Sequence, residues 1–163
     1  MEVHGSLGHS PLFAALNATE CDELSALAEA RQVAPGERIF RAGDPASHLF
    51  VVRSGLVELT MSLRVMGDVK DVRFQTLGPG HAFGWSALVA PHRLTMGARA
   101  AEPTGVWCFA ADALGRLFEI KPRIGSVVMR NLMQVVSQRL VEAYALWGRE
   151  LQRHVDDTWR SEP

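Results

Sequence analysis

The chain has 163 residues, 47% hydrophobic and 21% charged, with a formal net charge of −1. That length suits one core with flanking helices, and that composition excludes disorder. Phosphate-backbone binding needs a basic excess that is absent here, so direct nucleic-acid contact is not expected. The two cysteines, Cys21 and Cys108, form neither a disulfide framework nor a Cys-x-x-Cys knuckle, and Met1 to Leu16 lacks a signal-peptide pattern. A reducing cytoplasm, with no membrane insertion, is the expectation.

N-terminal helices are expected over residues 11–30. The first lies near Leu12 to Leu16, and the second starts at Thr19, with Asp22 three positions on as its capping box. Leu24, Leu27 and Ala28 supply that helix's buried stripe. The turn Val33-Ala34-Pro35-Gly36-Glu37 cannot continue a helix, and strands follow it. Ile39-Phe40, His48 to Val52, Leu56 to Leu63 and Val69 to Leu77 are apolar or alternate with period two, bounded by Gly-rich turns. Thr95 to Ala101 and Val106 to Ala110 complete the antiparallel set over 31–110, interrupted by a short helical piece over 84–89.

From Asp112 the period becomes helical. Ala113, Leu114, Leu117 and Phe118 form a stripe that Lys121-Pro122 ends, and a long helix runs over about 123–155. Met129, Met133, Val136, Leu140, Ala143 and Trp147 alternate four and three apart, an a/d seam. The seam serves either a homodimer or packing on the chain's own strands. Both uses are compatible, because Val128, Leu132 and Val135 make a second apolar row.

Pro35-Gly36-Glu37 with Ile39-Phe40, Gly43-Asp44-Pro45-Ala46, Leu49 to Val52 then Ser54-Gly55-Leu56-Val57, Leu77-Gly78-Pro79-Gly80, Phe83 to Leu88, and Ala100-Ala101-Glu102-Pro103-Thr104 follow one another along the chain. In this order and loop spacing they resemble the cyclic-nucleotide-binding domain of catabolite-activator-type regulators. The resemblance implies an α+β, mainly β fold. Its centre is a double-stranded antiparallel β-roll, jelly-roll-like, with N-terminal helices and a long C-terminal helix.

In that family the ligand's cyclic phosphate meets a helix start after Phe-Gly, an arginine neutralises it, and a glutamate after the glycine accepts from the ribose hydroxyl. The resemblance therefore assigns Phe83, Gly84, Trp85, Ser86, Ala87, Leu88, Arg93 and Thr95 to the ligand site. Two departures stand out. Trp85 occupies the glutamate position, and an indole N–H donates but cannot accept. Counting back from Ala100-Ala101-Glu102-Pro103 puts Leu94 at the arginine position and Thr95 at the small hydroxyl after it. Arg93 is one residue early, which on a strand means the opposite face unless Ala90-Pro91-His92 absorbs the shift. Trp85 either fills the sugar space or forms a stacking wall for another flat ligand.

A regulatory module follows from this reading. It takes a cyclic nucleotide or another small anionic or aromatic effector, or none, and acts through a homodimer or a protein partner. The alternative is a genuine cyclic-nucleotide receptor with a weakened ribose contact. No enzyme activity is expected: no nucleophile set, P-loop or dinucleotide fingerprint is present, and His48 alone on the strands does not make a cupin metal cluster. His81, His92 and Cys108 match no metal spacing. After the long helix, Asp156 to Pro163 is too short for a helix-turn-helix.

Overall fold

Alternation along two central strands decides the layering. The computed structural model describes residues 7–160; the first six residues and the last three of the Asp156 to Pro163 tail lie outside the described residues. Strands β3 (His48–Ser54) and β8 (Thr104–Ala110) pair antiparallel at the centre of one sheet. Successive side chains point to opposite faces. Leu49, Val51, Trp107 and Phe109 therefore join a helix-covered core, while Phe50, Val52, Val106 and Cys108 join a core between two sheets. Burial on both faces explains why these strands read as unbroken apolar runs.

The first four-stranded sheet has the order β1-β8-β3-β6, where β1 is Ala28–Val33 and β6 is Ala82–Phe83. The second has the order β2-β7-β4-β5, from Arg38–Phe40, Gly97–Ala100, Val57–Val65 and Asp68–Leu77. This is the expected antiparallel β-roll. Gly55 shows how tightly its corners close: its φ is +77°, and a Cβ there would lie 2.4 Å from the Pro103 carbonyl oxygen.

Three local expectations need correction. The opening helix is a single 3-10 turn, Pro11–Phe13. Helix α1 spans Ala18–Ser25 and is capped by Asn17, not Thr19: the Glu20 N–H donates to Asn17 Oδ1 at 3.0 Å, and the Asn17 N–H donates to the Glu20 carboxylate at 2.9 Å. Ala28 leaves the helix altogether and starts β1, which pairs with β8 from Ala28↔Phe109 to Val33↔Thr104.

Helices α2 (Ala111–Ile120) and α3 (Pro122–Arg160) meet at Lys121, and Pro122 opens α3 where its missing N–H has no partner to lose. Ile124, Val127, Val128 and Leu132 bury the early face of α3. Buried Asn131 donates to the carbonyls of Leu12 (3.0 Å) and Ala14 (2.8 Å), fastening the N-terminal turn to α3. The long seam divides in use. Met129 and Val136 pack on the helix-side core, whereas Met133 and Trp147 are 65% and 62% exposed.

Candidate functional site

The strand β6 ends at Phe83, and Gly84 turns the chain with φ +72° into a 3-10 turn, Trp85–Leu88. Glycine is required there on two counts. The left-handed φ disfavours other residues, and a Cβ would meet the Phe50 ring at 2.9 Å and the His48 carbonyl oxygen at 3.0 Å. Phe83 is fully buried and stacks on Phe50 at 5.1 Å, with Phe40 tilted against both, so the floor beneath the turn is a rigid aromatic cluster.

Two cavities flank the turn. The first, about 210 Å³, is lined by Phe83, Gly84, Trp85, Ser86 and Thr95 from the expected site. Leu94 and Met96 line it as well, and α3 closes it with Val136, Arg139, Leu140 and Ala143. The second, about 810 Å³, lies between the turn and α2 and takes Ala87 and Leu88 into its wall. The eight expected residues therefore do not converge on one site. Ala87 also has its N–H engaged, donating to the Gly84 carbonyl at 3.1 Å.

Arg93 lies in neither cavity wall. It is exposed, bridges to Pro45, and donates from Nη1 to the Gly43 carbonyl at 3.0 Å. Leu94, its neighbour, is buried on the cavity side. Arg93 therefore misses the cavity, but not through strand alternation: the segment lies outside the named strands, held by the single bridge to Pro45, and Leu94, Thr95 and Met96 in succession line the same wall.

The cation that does line the cassette cavity comes from the long helix. Arg139 places its guanidinium 4.3 Å from the Trp85 ring centroid and donates to the Ala82 carbonyl. Burial pushes this guanidinium down to about 10, opposed by the Glu142 carboxylate, so at neutral pH it remains a cation. Sequence reasoning missed it. The available signal was a basic residue at i+3 from Val136 and i−4 from Ala143, on the apolar face of a helix.

Other titratable groups sit apart from this cavity. Burial pushes the Cys21 and Cys108 thiols up, which favours the inert protonated form. His81 and His92 face the carbonyls of Gly78 and Ala87 respectively. Among the described residues, no group of three His, Cys, Asp or Glu side chains is placed to hold a metal, and no helix is long and apolar enough to cross a membrane.

The cyclic nucleotide-binding domain family model matches residues 30–121, from β1 through the cassette turn to the end of α2. The chain belongs to this family. As a cyclic nucleotide-binding domain it is similar to the Thermus thermophilus catabolite activator protein, with a TM-score of 0.71 and 29% identity, covering 85% of this chain and 62% of that one. The N-terminal domain of a Streptomyces coelicolor transcriptional regulator gives a TM-score of 0.67 and 27% identity, covering 85% of this chain and 94% of that one. Glutaminase 1 of Bradyrhizobium diazoefficiens is 36% identical over 141 residues, which is 85% of this chain but only 21% of the relative. The chain therefore spans about a fifth of that relative's length.

Proposed function

We propose that this domain is a non-catalytic regulatory sensor whose cassette does not hold cyclic nucleotide in the family's usual way. The observation that carries this reading is the pair Trp85 and Arg139: an indole stands at the sugar-acceptor position, and the cavity's cation reaches it from α3. A cyclic nucleotide would have to displace that ring contact and leave its ribose hydroxyl without a carboxylate acceptor. Arg93, turned to the Gly43 carbonyl, supplies no compensating charge.

The same arrangement supports a route for output. Arg139 belongs to α3, so an effector in the cassette cavity contacts the helix directly and favours one packing of α3 on the roll over another. Beyond the cavity, Val141, Tyr144, Trp147, Leu151 and Val155 are exposed on α3, a surface suited to a second copy of the chain or a partner protein. We place the module in the cytoplasm, in keeping with two unpaired cysteines.

Calorimetric titration with cyclic AMP and cyclic GMP tests the reading. The expected result is no saturable heat below millimolar nucleotide, with Arg93→Ala indistinguishable from the parent. Saturable micromolar binding would establish a working cyclic-nucleotide receptor and overturn the proposal.

A further inference from the structure

The cassette cavity has an unusual chemical balance. Phe40, Leu59, Phe83, Leu94, Met96 and Val136 give it apolar walls, aromatic in part, and among the described residues Arg139 is the one charged side chain lining it. A guanidinium carries five N–H donors. Arg139 has its face on Trp85 and donates to the neutral Ala82 carbonyl, without a carboxylate partner among the described residues. The nearby acid, Glu142, offsets part of the cost of burial through its charge, while its oxygens accept from Gln75 Nε2 at 2.7 Å and from Gln138 Nε2 at 3.3 Å. A desolvated cation beside apolar walls is costly unless an anion meets it there, and a carboxylate matches its fork geometry.

A second orphan lies in the same wall. Because Gln75 gives its Nε2 to Glu142, its amide orientation is set, and Gln75 Oε1 is left buried with no hydrogen-bond partner. A buried acceptor of this kind wants an N–H or O–H donor, and with almost no surface of its own it is reached from the cavity only after a side-chain shift. Phosphate esters of nucleosides fit poorly, since they bring several anionic or polar groups to mostly apolar walls that offer a single cation beside the hydroxyls of Ser86 and Thr95.

We infer that the cassette cavity binds a small aromatic monocarboxylate whose ring carries an N–H or O–H, the carboxylate on Arg139 and the ring among Trp85, Phe40 and Phe83. This rests on the reading above that the cavity is the effector site. Binding exchanges the Arg139 contact with the Ala82 carbonyl for a charge-assisted pair, so the ligand acts on α3 through the residue that holds it.

The test is calorimetric titration of the full chain with indole-3-acetate and 4-hydroxyphenylacetate, beside the uncharged indole-3-acetamide. The expected result is saturable binding of at least one acid, about tenfold or more tighter than the amide. Arg139→Gln, confirmed folded by circular dichroism, should weaken that acid about tenfold or more, and Arg139→Lys should fall between. No binding of either acid, equal binding of the amide, or an acid affinity unchanged in Arg139→Gln would each overturn the inference. These failures leave the sensor reading intact, which falls only if cyclic nucleotide itself binds at micromolar levels.

Discussion

The two halves of helix α3 obey different rules, although one apolar period runs through both. Over residues 122–136 the helix lies on the first sheet: Ile124, Val127, Val128 and Leu132 are buried, and even the polar Asn131 has both amide hydrogens placed on Leu12 and Ala14. Beyond 136 the helix crosses the cassette mouth and then leaves the roll. There the cation Arg139 is partly buried, and the large apolar side chains that follow are open to solvent. A seven-residue apolar repeat therefore carries no information about which neighbour it meets. The first half is buried in the fold, and the second leaves its apolar side chains exposed.

The largest expected effect lies in the first half. Leu132 is 2% exposed within the helix-side core, and truncating a buried leucine leaves a cavity that costs about 2–5 kcal/mol. Leu132→Ala should lower stability by about 3 kcal/mol in urea denaturation, while Leu151→Ala, at 47% exposure, should change monomer stability by no more than about 0.5 kcal/mol. Similar losses at both sites would erase the distinction between the halves.

An intermediate effect concerns association. The seam expectation mixed residues of two kinds: Met129 and Val136 pack inward and Leu140 and Ala143 line the cassette cavity, whereas Met133 and Trp147 are exposed. Substituting Leu140 would disturb cavity and surface together. Trp147→Glu with Leu151→Glu touches the surface alone, and two charges in an apolar interface should weaken self-association about tenfold or more in sedimentation equilibrium. An association constant unchanged by the pair would remove α3 from any dimer interface.

Much of this was legible before the structure. β3 and β8 were readable because burial on both faces leaves a continuous apolar run between turns, whereas the strand period assumed for Arg93 and Leu94 does not apply, since both lie outside the named strands. β1 was not, because Ala-Glu-Ala-Arg-Gln-Val is rich in helix formers and becomes a strand only through its pairing with β8. The cap moved from Thr19 to Asn17 because both positions offer an acceptor, and Glu20, not Asp22, reaches back. The cassette was readable as a segment, but its division between two cavities was not. Which wall Ala87 and Leu88 join depends on how α2 packs, and Arg139 enters the site only because α3 passes over Trp85, a contact across 54 positions that no local pattern encodes.

The smallest expected effect is the most telling about that contact. Moving a guanidinium from its ordinary value down to about 10 by burial corresponds to a penalty of roughly 3 kcal/mol, an order-of-magnitude figure. Against it stand a desolvated cation–π contact of about 2 kcal/mol and a charged hydrogen bond of about 1.5–3 kcal/mol. These opposing terms leave a net gain of about 0.5–2 kcal/mol, and methionine, which keeps the apolar stem's packing against Trp85 without the charge, recovers part of it. Arg139→Met should therefore shift stability by no more than about 1 kcal/mol in either direction, measured by thermal and urea unfolding. A loss of 3 kcal/mol or more would make Arg139 a staple that holds α3 on the roll, with its place in the cavity incidental. A near-neutral result means that the fold does not require this cation, which leaves its position beside Trp85 free to serve the proposed ligand.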